Sequence, residues 1–127
     1  MMKILEKINE YVNQLRSYDD IFSKEVDLSK YPEVENSTCG GEVQILEGLF
    51  DNDLDEIYLT FKPYFDNEEI SDESNIVPVL QSYGNTYICL GFDKENLGFV
   101  YYFDFDFGCF LLDKSLDSFL SKLVDSE

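Results

Sequence analysis

The chain has 127 residues, 44% hydrophobic and 28% charged, with a formal net charge of -18 from 27 acidic and 9 basic side chains. That length suits one domain with its own core, and the apolar fraction argues against disorder. Charge of this sign argues against binding nucleic acid or anionic lipid, and leaves a solvated acidic face or a strongly basic partner.

The opening MMKILEKINE mixes lysines with glutamates and has no apolar run, so a signal peptide is not expected. Nor is there a run of about 18 apolar residues to span a membrane. Ile4, Leu5, Ile8, Val12 and Leu15 recur at three- and four-residue spacing, which predicts an amphipathic helix over Met2–Tyr18. Ile21–Glu35 is ambiguous. Its Ser29-Lys30-Tyr31-Pro32 marks a break, because proline disfavours helix at the residue before it. Cys39-Gly40-Gly41 reads as a turn, and Glu42–Leu46 as a half-buried strand.

Asp51–Glu73 holds nine carboxylates and one lysine around an expected strand at Ile57–Phe61. Asp66–Asn75 reads as a mobile surface loop, and Pro78 suggests an edge or bulge position. Ile76–Gly108 then reads as the centre of a β-sheet, with strands at Ile76–Leu80, Thr86–Phe92 and Leu97–Phe107. The last of these has six aromatics in eleven residues. A closing helix is expected over Asp113–Val124, capped by Asp113 or Ser115, with Leu116, Phe119, Leu120 and Leu123 as its apolar stripe. The expected core joins the first-helix stripe to Ile88, Leu90, Phe119, Leu120 and Leu123.

Three cysteines, Cys39, Cys89 and Cys109, are odd in number and form no Cys-x-x-Cys pair, which fits a reduced, cytoplasmic chain. Cys89 and Cys109 lie in strand-like runs and read as small core residues. Histidine is absent, which removes Ser-His-Asp and Cys-His catalysis and imidazole metal sites. There is no Walker or dinucleotide-binding glycine motif. Asp51-Asn52-Asp53-Leu54-Asp55-Glu56 opens like a calcium loop, but Glu56 stands where that loop needs glycine, and Lys62 where it needs glutamate. Asp104 and Asp106 would share one face of a regular strand, opposite Phe103, Phe105 and Phe107. Such a pair could hold a metal or work as acid and base, or simply form an acidic face over an aromatic core.

The apolar "IVP" run, a glycine-asparagine turn, "YICL", a short loop with glycine, "VYYFD" and the helix Ser115–Leu123 occur in an order that resembles the SUKH (Smi/Knr-like) superfamily. Cys39-Gly40-Gly41 resembles its glycine turn. The resemblance covers about the last two-fifths of the chain, Ile76–Val124. It implies an α+β fold, a mainly antiparallel twisted sheet flanked by N-terminal and C-terminal helices. It also implies a bacterial immunity protein that binds and neutralises a toxin. Many such toxins are nucleases with basic surfaces, to which an acidic inhibitor is complementary.

The expectation is therefore a non-enzymatic, monomeric binding protein, without cofactor or metal, whose partner is a basic toxin domain. Alternatives are a metal-dependent hydrolase built on the acidic clusters and a cytosolic regulatory scaffold. The interface is assigned to the densest carboxylates: Asp51, Asp53, Asp55, Glu56, Asp66, Glu68, Glu69, Asp72, Glu73, Asp104 and Asp106.

Overall fold

A computed structural model describes residues 3–38, 41–71 and 73–126. The first helix, α1 (Ile4–Ser17), buries Ile4, Ile8, Val12 and Leu15, and departs from helical torsions at Ile8. Leu5 lies beside that stripe and is 41% exposed, so it does not belong to the core. Met2 is outside the described residues.

Asp20, with φ of 56°, turns the chain into a single 3₁₀ turn at Ile21–Ser23, followed by β1 (Lys24–Asp27). Asp27 accepts from the backbone N–H of Ser29 and leads into a second 3₁₀ turn at Leu28–Lys30. The Tyr31-Pro32 break also begins a helix, α2 (Pro32–Ser37). Proline fits the first helical position because that N–H has no helical partner anyway. The glycine turn expected at Cys39-Gly40-Gly41 lies outside the described residues, save Gly41. The strand expected over Glu42–Leu46 divides into β2 (Glu42–Gln44) and β3 (Glu47–Gly48), which join different sheets.

The strand expected at Ile57–Phe61 is instead the middle of a helix, α3 (Leu54–Phe65). Asp53 caps it, accepting from the backbone N–H groups of Asp55 and Glu56 at 3.1 and 3.3 Å. Asp55 and Glu56 in the first turn oppose the positive end of the helix dipole. Leu54, Tyr58 and Phe65 then form its buried face, with Phe61 half-buried. Helical spacing and a cap outweigh the β-branched flavour of Ile-Tyr-Leu-Thr-Phe.

The sheet centre is a meander of β4 (Ile76–Gln81), β5 (Thr86–Gly91), β6 (Val100–Asp104) and β7 (Gly108–Asp113), followed by α4 (Leu116–Ser121) and β8 (Val124–Asp125). The long third strand expected over Leu97–Phe107 is shorter. It ends at Asp104, and the chain reverses at Phe105–Phe107 into β7. The closing helix is shorter too: Asp113 belongs to β7 and Val124 to β8, while Ser115 caps α4 by accepting from Ser118 N–H at 3.2 Å.

Among the described residues two antiparallel sheets result, of five strands (β3-β4-β5-β6-β7) and three (β2-β1-β8). The α+β architecture expected from the sequence is the observed one. Pro78 sits at the register shift of β4, the bulge position; β4 is not an edge strand. α3 covers one face of the large sheet, where Phe61, Phe65, Phe103 and Phe105 pack ring against ring. Ile88, Leu90 and Phe119 are fully or nearly buried, while Leu120 and Leu123 pack only partly against this core. Cys89 on β5 is wholly buried and burial pushes its thiol pKa up; Cys109, two strands away on β7, is partly buried.

Candidate functional site

Most of the acidic block is engaged in holding the fold. Asp53 caps α3, and Asp55 accepts the backbone N–H of Ile4 at 2.9 Å, capping α1 as well. Asp51 accepts from Arg16 Nε at 2.6 Å. Asp66 pairs with Lys62 one helical turn earlier, and this contact raises the lysine pKa. These carboxylates satisfy helix-end amides and neighbouring cations, the ordinary needs of a folded chain.

The segment expected to be a mobile loop at Asp66–Asn75 is tied down in its described part. The Ile70 carbonyl accepts the N–H of Cys109 at 3.0 Å, and Ser71 is buried, exchanging hydrogen bonds with the Glu73 backbone. Glu73 is partly buried: Oε1 accepts from Asn75 N–H at 3.0 Å, and Oε2 lies 3.5 Å from the Tyr101 hydroxyl. Burial, with Glu73 nearby, pushes Tyr101 up to about 12 despite its hydrogen bond from Asn96. Asp72 lies outside the described residues. Glu56, Glu68, Glu69 and Asp106 remain as exposed carboxylates.

Asp104 and Asp106 do not form the expected pair on one exposed strand face. Asp104, at the end of β6, is 9% exposed. Its Oδ2 accepts from the hydroxyls of Thr86 and Tyr102, both at 3.2 Å, and its Oδ1 from Asp106 N–H at 2.7 Å. That last bond closes the turn, so strand alternation stops where Asp106 begins. Phe103 and Phe105 stay with the α3-covered core, but Phe107 swings to the side of Asp104.

That side carries a feature the sequence reading missed. A groove of about 390 Å³ runs between the two sheets, with Glu25 of β1 and Glu42 of β2 on one wall and Thr86, Tyr102 and Asp104 on the other. Tyr83 from the β4–β5 turn and Phe107 from the β6–β7 turn also line it, 67% and 43% exposed. The one available signal was an aromatic residue inside each polar turn, since turns ordinarily favour Gly, Asn, Asp and Ser. The pairing of β1 with β2, which builds the acidic wall, had no local signature.

Among the described residues no three Asp, Glu or Cys side chains come together as metal ligands would, and no helix is long and apolar enough to cross a membrane. Comparison with known families gives a match to RhsPI over residues 20–124. No curated protein matches the chain.

Proposed function

The chain belongs to the RhsPI family, Rhs-associated immunity protein-like, and from that premise we propose that it binds and neutralises a cognate toxin domain with a basic, nuclease-type surface. It is an immunity protein of a toxin system. The observation that carries this reading is a family match reaching from the first 3₁₀ turn to β8. The net charge of -18 supports the basic partner: a nuclease needs cationic side chains to hold phosphates, and this chain presents the opposite sign. Such complementarity raises association toward about 10⁸–10⁹ M⁻¹s⁻¹ at low salt, a useful property for an inhibitor that must act before damage.

We further propose that it acts by binding without turnover, as a monomer in the reducing cytoplasm. Of the carboxylates expected to meet a partner, Glu56, Glu68, Glu69 and Asp106 are exposed and not engaged in holding the fold. Kinship with the SUKH superfamily is part of the same proposal, supported by the order of β4, β5, β6 and the closing helix.

The test is co-production of the chain with its cognate toxin domain. Restored growth and a stable complex on size exclusion are expected. A chain that neither protects nor co-elutes would sink the proposal.

A further inference from the structure

Successive antiparallel strands place alternate turns at the same end of a sheet. The β4–β5 and β6–β7 turns therefore lie together, and each presents an aromatic side chain to the groove, Tyr83 and Phe107. Exposure of 67% and 43% leaves both rings with apolar surface to cover. Asp104 ends β6 between these turns and supplies a nearly buried negative charge. Among the described residues three hydrogen bonds hold its carboxylate, out of about four positions that such a group offers. It is therefore a fixed charge with room for one more donor. Glu42, exposed on β2, and Glu25 on β1 complete the opposite wall.

Resting on the toxin-binding reading above, we propose that this groove receives an arginine side chain of the basic partner. The guanidinium stacks on Tyr83 and Phe107 and shares its N–H groups between Asp104 and Glu42. Aromatic rims together with carboxylates select a guanidinium over an ammonium. The guanidinium is planar, weakly hydrated and able to stack while it donates in a fork, whereas lysine is a compact hydrated charge. A groove of about 390 Å³ accommodates such a side chain with its flanking backbone. A second copy of this chain is a poor occupant, since both would carry a charge of -18.

The probe is the blocked peptide acetyl-Gly-Arg-Gly-amide, compared with its lysine and citrulline counterparts by amide NMR titration of the full chain. The arginine peptide is expected to shift the amides of Tyr83–Thr86, Asp104–Gly108 and Glu42–Gln44. Lysine should bind about tenfold more weakly, and neutral citrulline should leave these amides unmoved. Tyr83→Ala and Glu42→Gln, both at exposed positions where the fold is not at stake, should each weaken arginine binding about tenfold.

Equal binding of the arginine and lysine peptides, with shifts spread over α3 and its neighbouring loop, overturns the proposal in favour of simple cation condensation. Absence of shifts at the two turns overturns it equally. A chain that protects against its toxin while the groove ignores arginine refutes the groove assignment alone. A groove that selects arginine in a chain that neither protects nor binds the toxin refutes the immunity reading instead.

Discussion

The carboxylate of Asp55 accepts the backbone N–H of Ile4 at 2.9 Å, across 51 residues of sequence. One acidic side chain in the first turn of α3 thus serves an amide at the N-terminal end of α1 that lacks a helical partner, and lies at the positive pole of both helices. Asp55→Ala should lower stability by about 0.5–2 kcal/mol, the range of a lost helix cap. Its exposed neighbour Glu56, replaced by alanine, should change stability by less than about 0.5 kcal/mol. Urea denaturation midpoints of the two variants check the contrast. Equal midpoints would mean that the carboxylate contributes nothing as a cap.

Adjacent turns of α1 make a second contrast. Ile8 is fully buried, and Ile8→Ala should lose about 2–5 kcal/mol through lost transfer free energy and the cavity left behind. Leu5, at 41% exposure, has far less to lose, and Leu5→Ala should stay within about 1 kcal/mol. Thermal melts of both variants decide it. A larger loss at Leu5 would rotate the helix away from the described register.

Alkaline pH should unfold the chain partly through Tyr101. Burial raises its pKa from 10.0 to about 12 in the folded protein. Below about pH 10 the phenol is protonated in both states, and its contribution to stability is fully present. Between about pH 10 and 12 the unfolded chain releases the proton while the folded chain keeps it, so stability falls as pH rises. Tyr101→Phe should flatten the fall in melting temperature across that window. Tyr31, whose pKa burial also raises, keeps part of the slope in the variant. An unchanged slope would remove Tyr101 from the account.

The exposed and the engaged carboxylates should separate in binding kinetics. Reversing Glu56, Glu68 and Glu69 to lysine should slow association with the toxin domain and flatten its salt dependence, leaving stability nearly unchanged. Asp106→Asn, at the rim of the turn, should have a smaller effect of the same kind. Asp104→Asn should act on the fold itself and lower stability by about 1–3 kcal/mol, because two hydroxyls and one amide lose a charged acceptor. Surface-binding kinetics at two salt concentrations, with parallel melts, read both outcomes. If charge reversal leaves association untouched, the acidic face is solvation only.

Periodicity made the core of α1 and the meander legible, because both elements bury one face and repeat their apolar residues at the spacing of that face. Leu5 was misplaced because neighbouring positions on a helix both look apolar until the partner surface is known. Ile57–Phe61 misled through composition: β-branched and aromatic residues also suit a helix that Asp53 caps and a sheet covers. The carboxylates misled in a different way. Sequence counts charges, but only the folded backbone distinguishes Asp53, held on the amides of its own helix, and Asp55, held on the distant amide of Ile4, from Glu68 and Glu69, which face solvent. The groove was invisible because its walls come from strands far apart in the chain.

The pairing of β1 with β8 has a consequence for synthesis. Lys24 sits opposite Asp125, and Glu25 opposite Val124, so the small sheet closes only when residues about a hundred positions downstream are available. The β4–β7 meander, built from neighbours in sequence, can form from short-range pairing alone. At about 5–20 residues per second, the ribosome therefore imposes an interval of several seconds between making the first strand and delivering its partner. During that interval β1 lacks one of its two neighbours. The small sheet is thus completed last, and Glu25 sits on a strand paired on one side alone until β8 has emerged.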